Sequence, residues 1–144
     1  MISFTVSGIP IGKGRPKFST VNGRAMAYTP TKTVNYETLV KLSYQQQCGG
    51  KMYDKDTPLS IDIMAHFPIP KSVSKKKADM MRAGTIRPTK KPDSDNIIKA
   101  ICDALNGIAY YDDAQIVEVT AWKYYSDEPK AEITIRAVNE LTEI

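Results

Sequence analysis

The stretch "KPDSDNIIKAICDALNGIAYYDDAQI", residues 91–116, holds five aspartates within 21 positions of a chain whose formal net charge is +4. Its residues follow a helical period from about Asn96 to Asn106, and Gly107 ends the segment. One predicted face is apolar and consists of Ile97, Ile98, Ala100, Ile101, Ala104 and Leu105. The other face carries Asp95, Asn96, Lys99, Asp103 and Asn106. The pattern therefore predicts a helix with one face in a core and the other free for function.

The carboxylates that flank this helix are predicted to meet. Pro92 favours an extended backbone before it, which places Asp93 and Asp95 at the end of an extended stretch, pointing to one side about 6–7 Å apart. Asp112 and Asp113 precede the next predicted strand, where the returning chain would bring a third carboxylate to the first two. Carboxylates that converge without a cation repel each other and hold protons. The pattern therefore predicts a metal site.

The types of ligand indicate the metal. The candidate donors are hard oxygens, with Asn96 nearby and without histidine or cysteine among them, which favours Mg²⁺ or Mn²⁺ over zinc. Each group also has an ordinary structural interpretation. A lone aspartate before a helix caps it, an Asp-Asp pair forms a turn, and Lys99 pairs with Asp95 or Asp103 one turn away.

Length and composition limit the fold. A chain of 144 residues with 42% hydrophobic residues is long enough for one compact domain, 1–144, with its own core. Its apolar runs are far shorter than the roughly 18–20 residues that cross a membrane, and Met1 leads directly into a strand pattern. Cys48 and Cys102 lie far apart and suggest neither a disulfide framework nor a zinc site. We expect a soluble cytoplasmic protein with reduced thiols and no membrane partner.

Positive charge is concentrated in two segments. Residues 1–36 hold five basic residues and no acidic one, and residues 71–91 hold eight basic residues against Asp79 alone. Such segregation is typical of a surface that binds phosphates, although a solvated charged loop and helix is the simpler interpretation. The residues predicted to contact DNA are Lys13, Arg15, Lys17, Lys75, Lys76, Lys77, Lys90 and Lys91.

Alternating hydrophobicity predicts four strands, at 2–8, 59–67, 115–125 and 130–138. The last two are expected to pair antiparallel across the turn "SDEP". The Gly- and Pro-rich stretch "GIPIGKGRPKF", residues 8–18, is predicted to be a loop.

Two further helices are predicted. The first spans 31–47, and its candidate apolar positions are Val34, Tyr36, Leu39 and Leu42. The second spans 72–84, with Ser72 or Ser74 as its N-cap and Gly84 as its terminator. Together with the strands, these helices predict an α+β fold in which a mixed β-sheet packs against helices.

The stretch 92–116, together with "GIPIGKGRP" near the N-terminus, resembles the RusA family of Holliday-junction resolvases. The motif D-x-D-N-x-x-K, followed by D-A-L-N-G and DD-x-Q, covers residues 93–115. The resemblance implies a small α+β homodimer that nicks four-way DNA junctions symmetrically with Mg²⁺. The catalytic and metal-binding residues that it implies are Asp93, Asp95 and Asp113, with Asp112 as the alternative to Asp113, and Lys99 in the active site. We assign supporting roles to Asn96 and Asp103.

Other functions remain open. A generic metal-dependent nuclease of DNA or RNA would use the same carboxylates, whereas a non-catalytic DNA-binding module would explain only the basic segments. A nucleotidyltransferase is disfavoured because no Gly-Ser element precedes Asp93, and a histidine-based nuclease because His66, on the polar face of a strand, is the single histidine. Candidate dimer contacts are Ile133, Ile135 and Val138 of the terminal strand, or the helix at 31–47.

Overall fold

The structure, a computed structural model, describes residues 1–141 and the side chains of residues 1–139. Its strands are β1 (Ile2–Ser7), β2 (Lys17–Val21), β3 (Arg24–Tyr28), β4 (Leu59–Pro68), β5 (Ile116–Ser126) and β6 (Lys130–Ala137). Its helices are α1 (Thr31–Cys48), α2 (Lys75–Arg82) and α3 (Ser94–Ala104). No helix within the described residues is long and apolar enough to cross a bilayer. The predicted α+β fold with a mixed sheet is confirmed.

The main sheet has the strand order β1-β6-β4-β5, in which β4 pairs parallel with β5 and antiparallel with β6. The predicted pairing of the last two strands is therefore wrong, because β4 lies between them. The intervening residues 127–129 link Ser126, which pairs with Pro68, to Lys130, which pairs with His66. Such a link extends to about 13 Å and so can cross two strand spacings of about 4.8 Å each. Closeness in sequence did not make the two strands neighbours.

The buried faces of β1, β4 and β6 meet α1 and α3 in one core. On α1 the buried aromatic and aliphatic residues are Tyr36, Val40 and Tyr44, and the Phe4 ring of β1 meets Tyr44 edge to face at 5.3 Å. Of the predicted apolar positions on this helix, only Tyr36 is buried. The other three, Val34, Leu39 and Leu42, are exposed. The buried face of α1 is therefore rotated from the predicted one, and it includes the small polar residues Thr33 and Ser43.

The burial of β6 corrects the list of dimer contacts. Ile133 and Ile135 lie in the core with at most 1% of their surface exposed, so neither can contact a second copy of the chain. Their alternation along β6 is that of a strand whose apolar face lies against helices.

One element was missed in the sequence. Strands β2 and β3 form a separate two-stranded ribbon, where a loop had been expected at least as far as Phe18. Its turn is Asn22-Gly23, and both residues have positive φ, 50° and 76°. Asn-Gly is the dipeptide that two-residue hairpin turns prefer, so a local signal for this ribbon was present.

Candidate active site

Helix α3 positions most of the candidate residues. Its buried face includes Ile97 and Ile101, each of which stabilises the packed position of the helix by about 2 kcal/mol. The opposite face carries Asp95, Lys99 and Asp103, which follow one another at the four-residue spacing that aligns side chains along a helix. The predicted division of this helix into a core face and a polar face is confirmed, and the helix begins two residues earlier than expected.

The charged side chains of α3 open onto one concave surface of about 380 Å³, which we call the acidic pocket. It is lined by Asp95, Ile98, Lys99, Cys102, Asp103, Asp113, Ile116 and Val119. Three predicted acidic residues and the predicted lysine are thus brought together by α3, by the turn that follows it and by the start of β5.

The turn after α3 holds Asp113 at the pocket. The backbone N–H of Asp113 donates a hydrogen bond of 2.8 Å to Asn106 Oδ1, and Asn106 forms an isolated β-bridge with Tyr110. The buried Tyr110 hydroxyl donates to the Cys102 carbonyl oxygen at 2.5 Å, which fixes the turn to α3. Gly107, with φ of 73°, allows the chain to reverse here.

Asp112 and Asp113 have different environments. The Asp112 carboxylate caps the short 3-10 turn Asp113–Gln115 by accepting from the Ala114 N–H at 3.2 Å, and the Gln115 side chain accepts in return from the Asp112 N–H. Asp113 lines the acidic pocket, whereas Asp112 lines a neighbouring groove with Tyr111 and Gln115. The capping interpretation therefore applies to Asp112, and Asp113 is the one that reaches the pocket.

The acidic pocket concentrates negative charge. Partial burial raises the pKa of the Asp113 carboxyl above its usual value, and its hydrogen bond with Asp112 and the charges of Asp103 and Asp112 raise it further, against the opposing hydrogen bond to Asn106. This is the behaviour expected where neighbouring carboxylates disfavour ionisation. A cation bound in the pocket would relieve that repulsion.

Asp93 lies apart from the acidic pocket. It occupies the N-cap position of α3 with an extended backbone, whereas Asp95 is already in the first helical turn, so the two carboxylates do not project from one side of a strand as predicted. The Asp93 carboxylate makes no capping hydrogen bond. Asp93, Asp95 and Lys99 also have no ion-pair partner in the described part of the chain, so the i,i+4 pairing considered for Lys99 does not form.

A larger groove of about 670 Å³ lies beside Asp93, and we call it the basic groove. Its charged and polar lining residues are Lys13, Arg15, Lys32, Lys91, Asp93 and Asn96. Gly12 and Gly14 form its wall at close quarters: a Cβ on Gly12 would lie 2.8 Å from Pro92 Cβ, and one on Gly14 would lie 2.9 Å from Pro30 Cγ. Gly12 therefore allows the N-terminal loop to pack directly on the start of α3, and Gly14 allows it to pack on the start of α1.

Lys13 is engaged by two carboxylates. Its ammonium lies 2.5 Å from Glu37 Oε1 of α1 and 3.3 Å from Asp103 Oδ2 of α3, and its backbone N–H donates to the Asn96 carbonyl oxygen at 2.8 Å. Burial alone would lower the pKa of Lys13, but the bonds to Glu37 and Asp103 outweigh it and the pKa is raised. Lys13 thus connects α1 to α3, and sequence reasoning gave no sign of its partner Glu37.

The other predicted DNA contacts are exposed and have no ion-pair partner within residues 1–139: Arg15, Lys17, Lys75, Lys76, Lys77, Lys90 and Lys91. Lys123 of β5 was missed in the sequence. Its ammonium donates to the carbonyl oxygens of Lys90 at 2.6 Å and Pro92 at 2.9 Å, and so holds the basic loop against the sheet just before Asp93.

His66 is not part of this arrangement of carboxylates. Its Nε2 lies 3.0 Å from Glu132 Oε1, and its ring stacks on Tyr124 with centroids 6.0 Å apart. Among the described residues, no three histidine, cysteine, aspartate or glutamate side chains form a ready-made metal cluster. Metal binding by Asp93, Asp95 and Asp113 stays a prediction.

Comparison with known proteins identifies the family. Residues 7–136 match the family described as "Endodeoxyribonuclease RusA". A Bacillus subtilis (strain 168) protein named "Uncharacterized protein YqaN" is 41% identical over 140 residues, which are 96% of this chain and 97% of that protein. The "Crossover junction endodeoxyribonuclease rusA" of Lactococcus phage r1t is 26% identical over 136 residues, 94% of this chain and 95% of the phage protein. The resemblance stated from the motif is confirmed, and the chain belongs to the RusA family of endodeoxyribonucleases.

Proposed function

We propose that this chain is a metal-dependent endodeoxyribonuclease that resolves four-way DNA junctions by paired, symmetric hydrolysis of phosphodiester bonds. The observation that carries the proposal is the acidic pocket, where Asp95, Lys99 and Asp113 line one surface and Asp95 and Lys99 have no ion-pair partner within residues 1–139. Family membership supports DNA hydrolysis, and the name of the phage relative supports a crossover junction as the substrate.

The acidic pocket is proposed to bind a divalent cation. Enzymes of the RusA type generally depend on a divalent metal. We propose Mg²⁺, with Mn²⁺ as a substitute, because the donors are carboxylate oxygens and because Asp113 lies where negative charge is crowded. Such an ion would make a bound water nucleophilic and stabilise charge on the phosphate oxygens. Asp95 and Asp113 would hold it. Asp93 lines the neighbouring basic groove and does not use its carboxylate in capping, so it is proposed as a further ligand that reaches the ion from that side.

Lys99 is proposed to bind the phosphate that is cut. It lies on the helix face between Asp95 and Asp103, beside the carboxylates proposed to hold the metal, where its side chain would bind the phosphate oxygens. The supporting residues act through Lys13: Asp103 binds its ammonium, and the Asn96 carbonyl oxygen accepts its N–H.

The exposed basic residues are proposed to hold DNA around the two depressions. Arg15, Lys32 and Lys91 line the basic groove, and residues 75–77 begin α2. Unpaired surface cations of this kind exchange their counterions for phosphates, so they contribute affinity that falls as salt rises. Lys13 contributes less than predicted, since two carboxylates already bind its ammonium.

The active unit is proposed to be a homodimer. A four-way junction has two-fold symmetry, and one pocket engages one phosphate at a time, so two pockets related by symmetry are needed for paired cuts. With Ile133 and Ile135 excluded by burial, the half-buried Val138 and the exposed face of α1 remain as candidates. The exposed face of α1 carries Val34, Leu39 and Leu42, and the only charged side chain fully exposed on α1 is Lys32.

One assay tests this function. The protein is incubated with a labelled four-way junction or a matched linear duplex, in Mg²⁺ or in EDTA, and the products are mapped on a sequencing gel. Symmetric nicks in the junction alone, and only with Mg²⁺, are expected. Equal cutting of both DNAs would instead indicate a generic nuclease, and junction binding without cutting would indicate a DNA-binding module.

A further inference from the structure

The ribbon formed by β2 and β3 exposes an unusual amount of apolar surface. Every residue from 15 to 29 is exposed, so the ribbon has little packing against the rest of the described chain. Phe18 is 73% exposed, Met26 55% and Tyr28 48%. A lone two-stranded hairpin is marginally stable in water. A surface with these properties is expected to be covered when the protein works.

One face of the ribbon combines charge with apolar side chains. The strand register pairs Lys17 with Tyr28, Ser19 with Met26, and Val21 with Arg24. Because residues alternate between the two faces of a strand, these six side chains share one face, which we call the mixed face. The opposite face has Phe18 and Thr20 against two alanines. Lys17 and Arg24 have no ion-pair partner in the described part of the chain.

The base of the ribbon is fixed next to the candidate active site. The Lys13 N–H bonds to the Asn96 carbonyl oxygen, and the Gly14 N–H donates to Thr33 Oγ1 at 2.9 Å. Arg15, the next residue, lines the basic groove together with Asp93. A five-residue strand extends about 17 Å, the rise of about five base pairs. DNA bound in the basic groove would therefore lie within reach of the ribbon.

We propose that the mixed face of the ribbon binds DNA at the branch point of a junction. In this arrangement Lys17 and Arg24 contact phosphates, and Met26 and Tyr28 lie against bases that the junction leaves partly unstacked. The inference rests on the proposed function and adds the element that distinguishes branched from linear DNA. In linear duplex each base is stacked between adjacent bases, so Met26 and Tyr28 would add little affinity there.

The charge of the ribbon favours DNA over a second copy of the chain. Residues 1–36 contain no acidic residue, so two ribbons that met through their mixed faces would bring Lys17 and Arg24 against like charges. Nucleic acid offers what this face lacks, namely phosphates for its cations and flat apolar surfaces for its methionine and tyrosine. Aromatic contacts with bases tolerate any sequence, because every base has a π-face.

The test compares a Met26→Ala/Tyr28→Ala double variant with native protein. Binding to a four-way junction and to a matched linear duplex is measured in EDTA, with 2-aminopurine at the branch point to report unstacking. We expect the double variant to bind the junction about 5- to 100-fold more weakly, the duplex almost as before, and to lose the rise in fluorescence. Tyr28→Phe should retain most of the junction affinity, and Met52→Ala, an exposed apolar residue outside the ribbon, should behave as native.

Other results would overturn the inference. Native junction affinity in the double variant, or an equal loss of affinity for the junction and for the duplex, would show that the apolar side chains do not recognise the branch point. A shift from dimer to monomer in sedimentation, with junction affinity per protomer unchanged, would assign the mixed face to a second copy. Binding of native protein to anionic vesicles, lost in the double variant while junction affinity stays native, would assign it to a membrane. Failure of native protein to cut the junction would contradict the proposed function but not the role of the ribbon, because the binding measurements require no cutting.

Discussion

Replacing Asn106 by alanine should slow DNA cutting far more than it destabilises the fold. Asn106 Oδ1 accepts the hydrogen bond of the Asp113 N–H at 2.8 Å, across the turn that follows α3. Both residues are accessible to water, so losing this bond should cost about 0.5–1.5 kcal/mol of unfolding free energy. A domain with about 5–15 kcal/mol of stability would then remain more than about 99% folded.

Because Asp113 is a proposed metal ligand, cutting is expected to depend more than stability on where its carboxylate lies. A displacement of about 1 Å at a catalytic group costs about 100-fold in rate. We therefore expect the single-turnover rate of junction cutting to fall about 10- to 100-fold in Asn106→Ala, while the junction Kd in EDTA changes by less than about twofold. Unfolding cannot produce such a loss, because the folded fraction barely changes.

The assay measures cutting of a labelled four-way junction in Mg²⁺, together with urea unfolding of each variant. Asn106→Asp keeps an acceptor oxygen and should cut faster than Asn106→Ala. Ser126→Ala is the matched control, since it removes a turn hydrogen bond to the Glu128 N–H between β5 and β6, away from the acidic pocket. A native cutting rate in Asn106→Ala would refute the idea that this bond positions Asp113.

Asp113→Asn should lower the cutting rate at least about 100-fold, whereas Asp112→Asn, which keeps an oxygen to accept from the Ala114 N–H, should cut almost normally and unfold at nearly the native free energy. Equal losses of rate would contradict the different placement of the two carboxylates. A thiol reagent at pH 8 should modify Cys48 in the folded protein and spare Cys102, whose pKa burial raises to about 12, and equally fast modification of both in mass spectra would argue against that burial. Alanine at residues 75–77 together should lower the slope of log K against log salt by about three, and an unchanged slope would leave these lysines without a DNA contact.

Local patterns were enough to predict α3 and the strands of the sheet. The two faces of α3 follow from its 3.6-residue period, since Ile97 and Ile101 recur where the core lies and Asp95 and Lys99 where it does not. The N-cap of α2 at Ser74 likewise depends on neighbouring residues alone, because its side chain accepts from the Lys77 N–H.

Features that depend on distant partners were not predictable in the same way. The insertion of β4 between β5 and β6 depends on which strands share the core, and not on the turn that joins the last two. The engagement of Lys13 with Glu37 and Asp103 requires α1 and α3 to pack side by side, which no local pattern reports. The separation of Asp93 from Asp95 follows from the first turn of α3, which begins at Ser94.

The central claim is that two subunits each cut one strand of a junction at the acidic pocket. Its most direct test mixes native protein with an Asp95→Asn variant at rising ratios and adds a supercoiled plasmid that extrudes a cruciform, with Mg²⁺. Native protein alone should give linear plasmid, and mixtures should accumulate nicked circles in the proportion expected for heterodimers with one working pocket. Linear product in proportion to the native protein alone, with no excess of nicked circles, or full cutting by Asp95→Asn itself, would contradict the account.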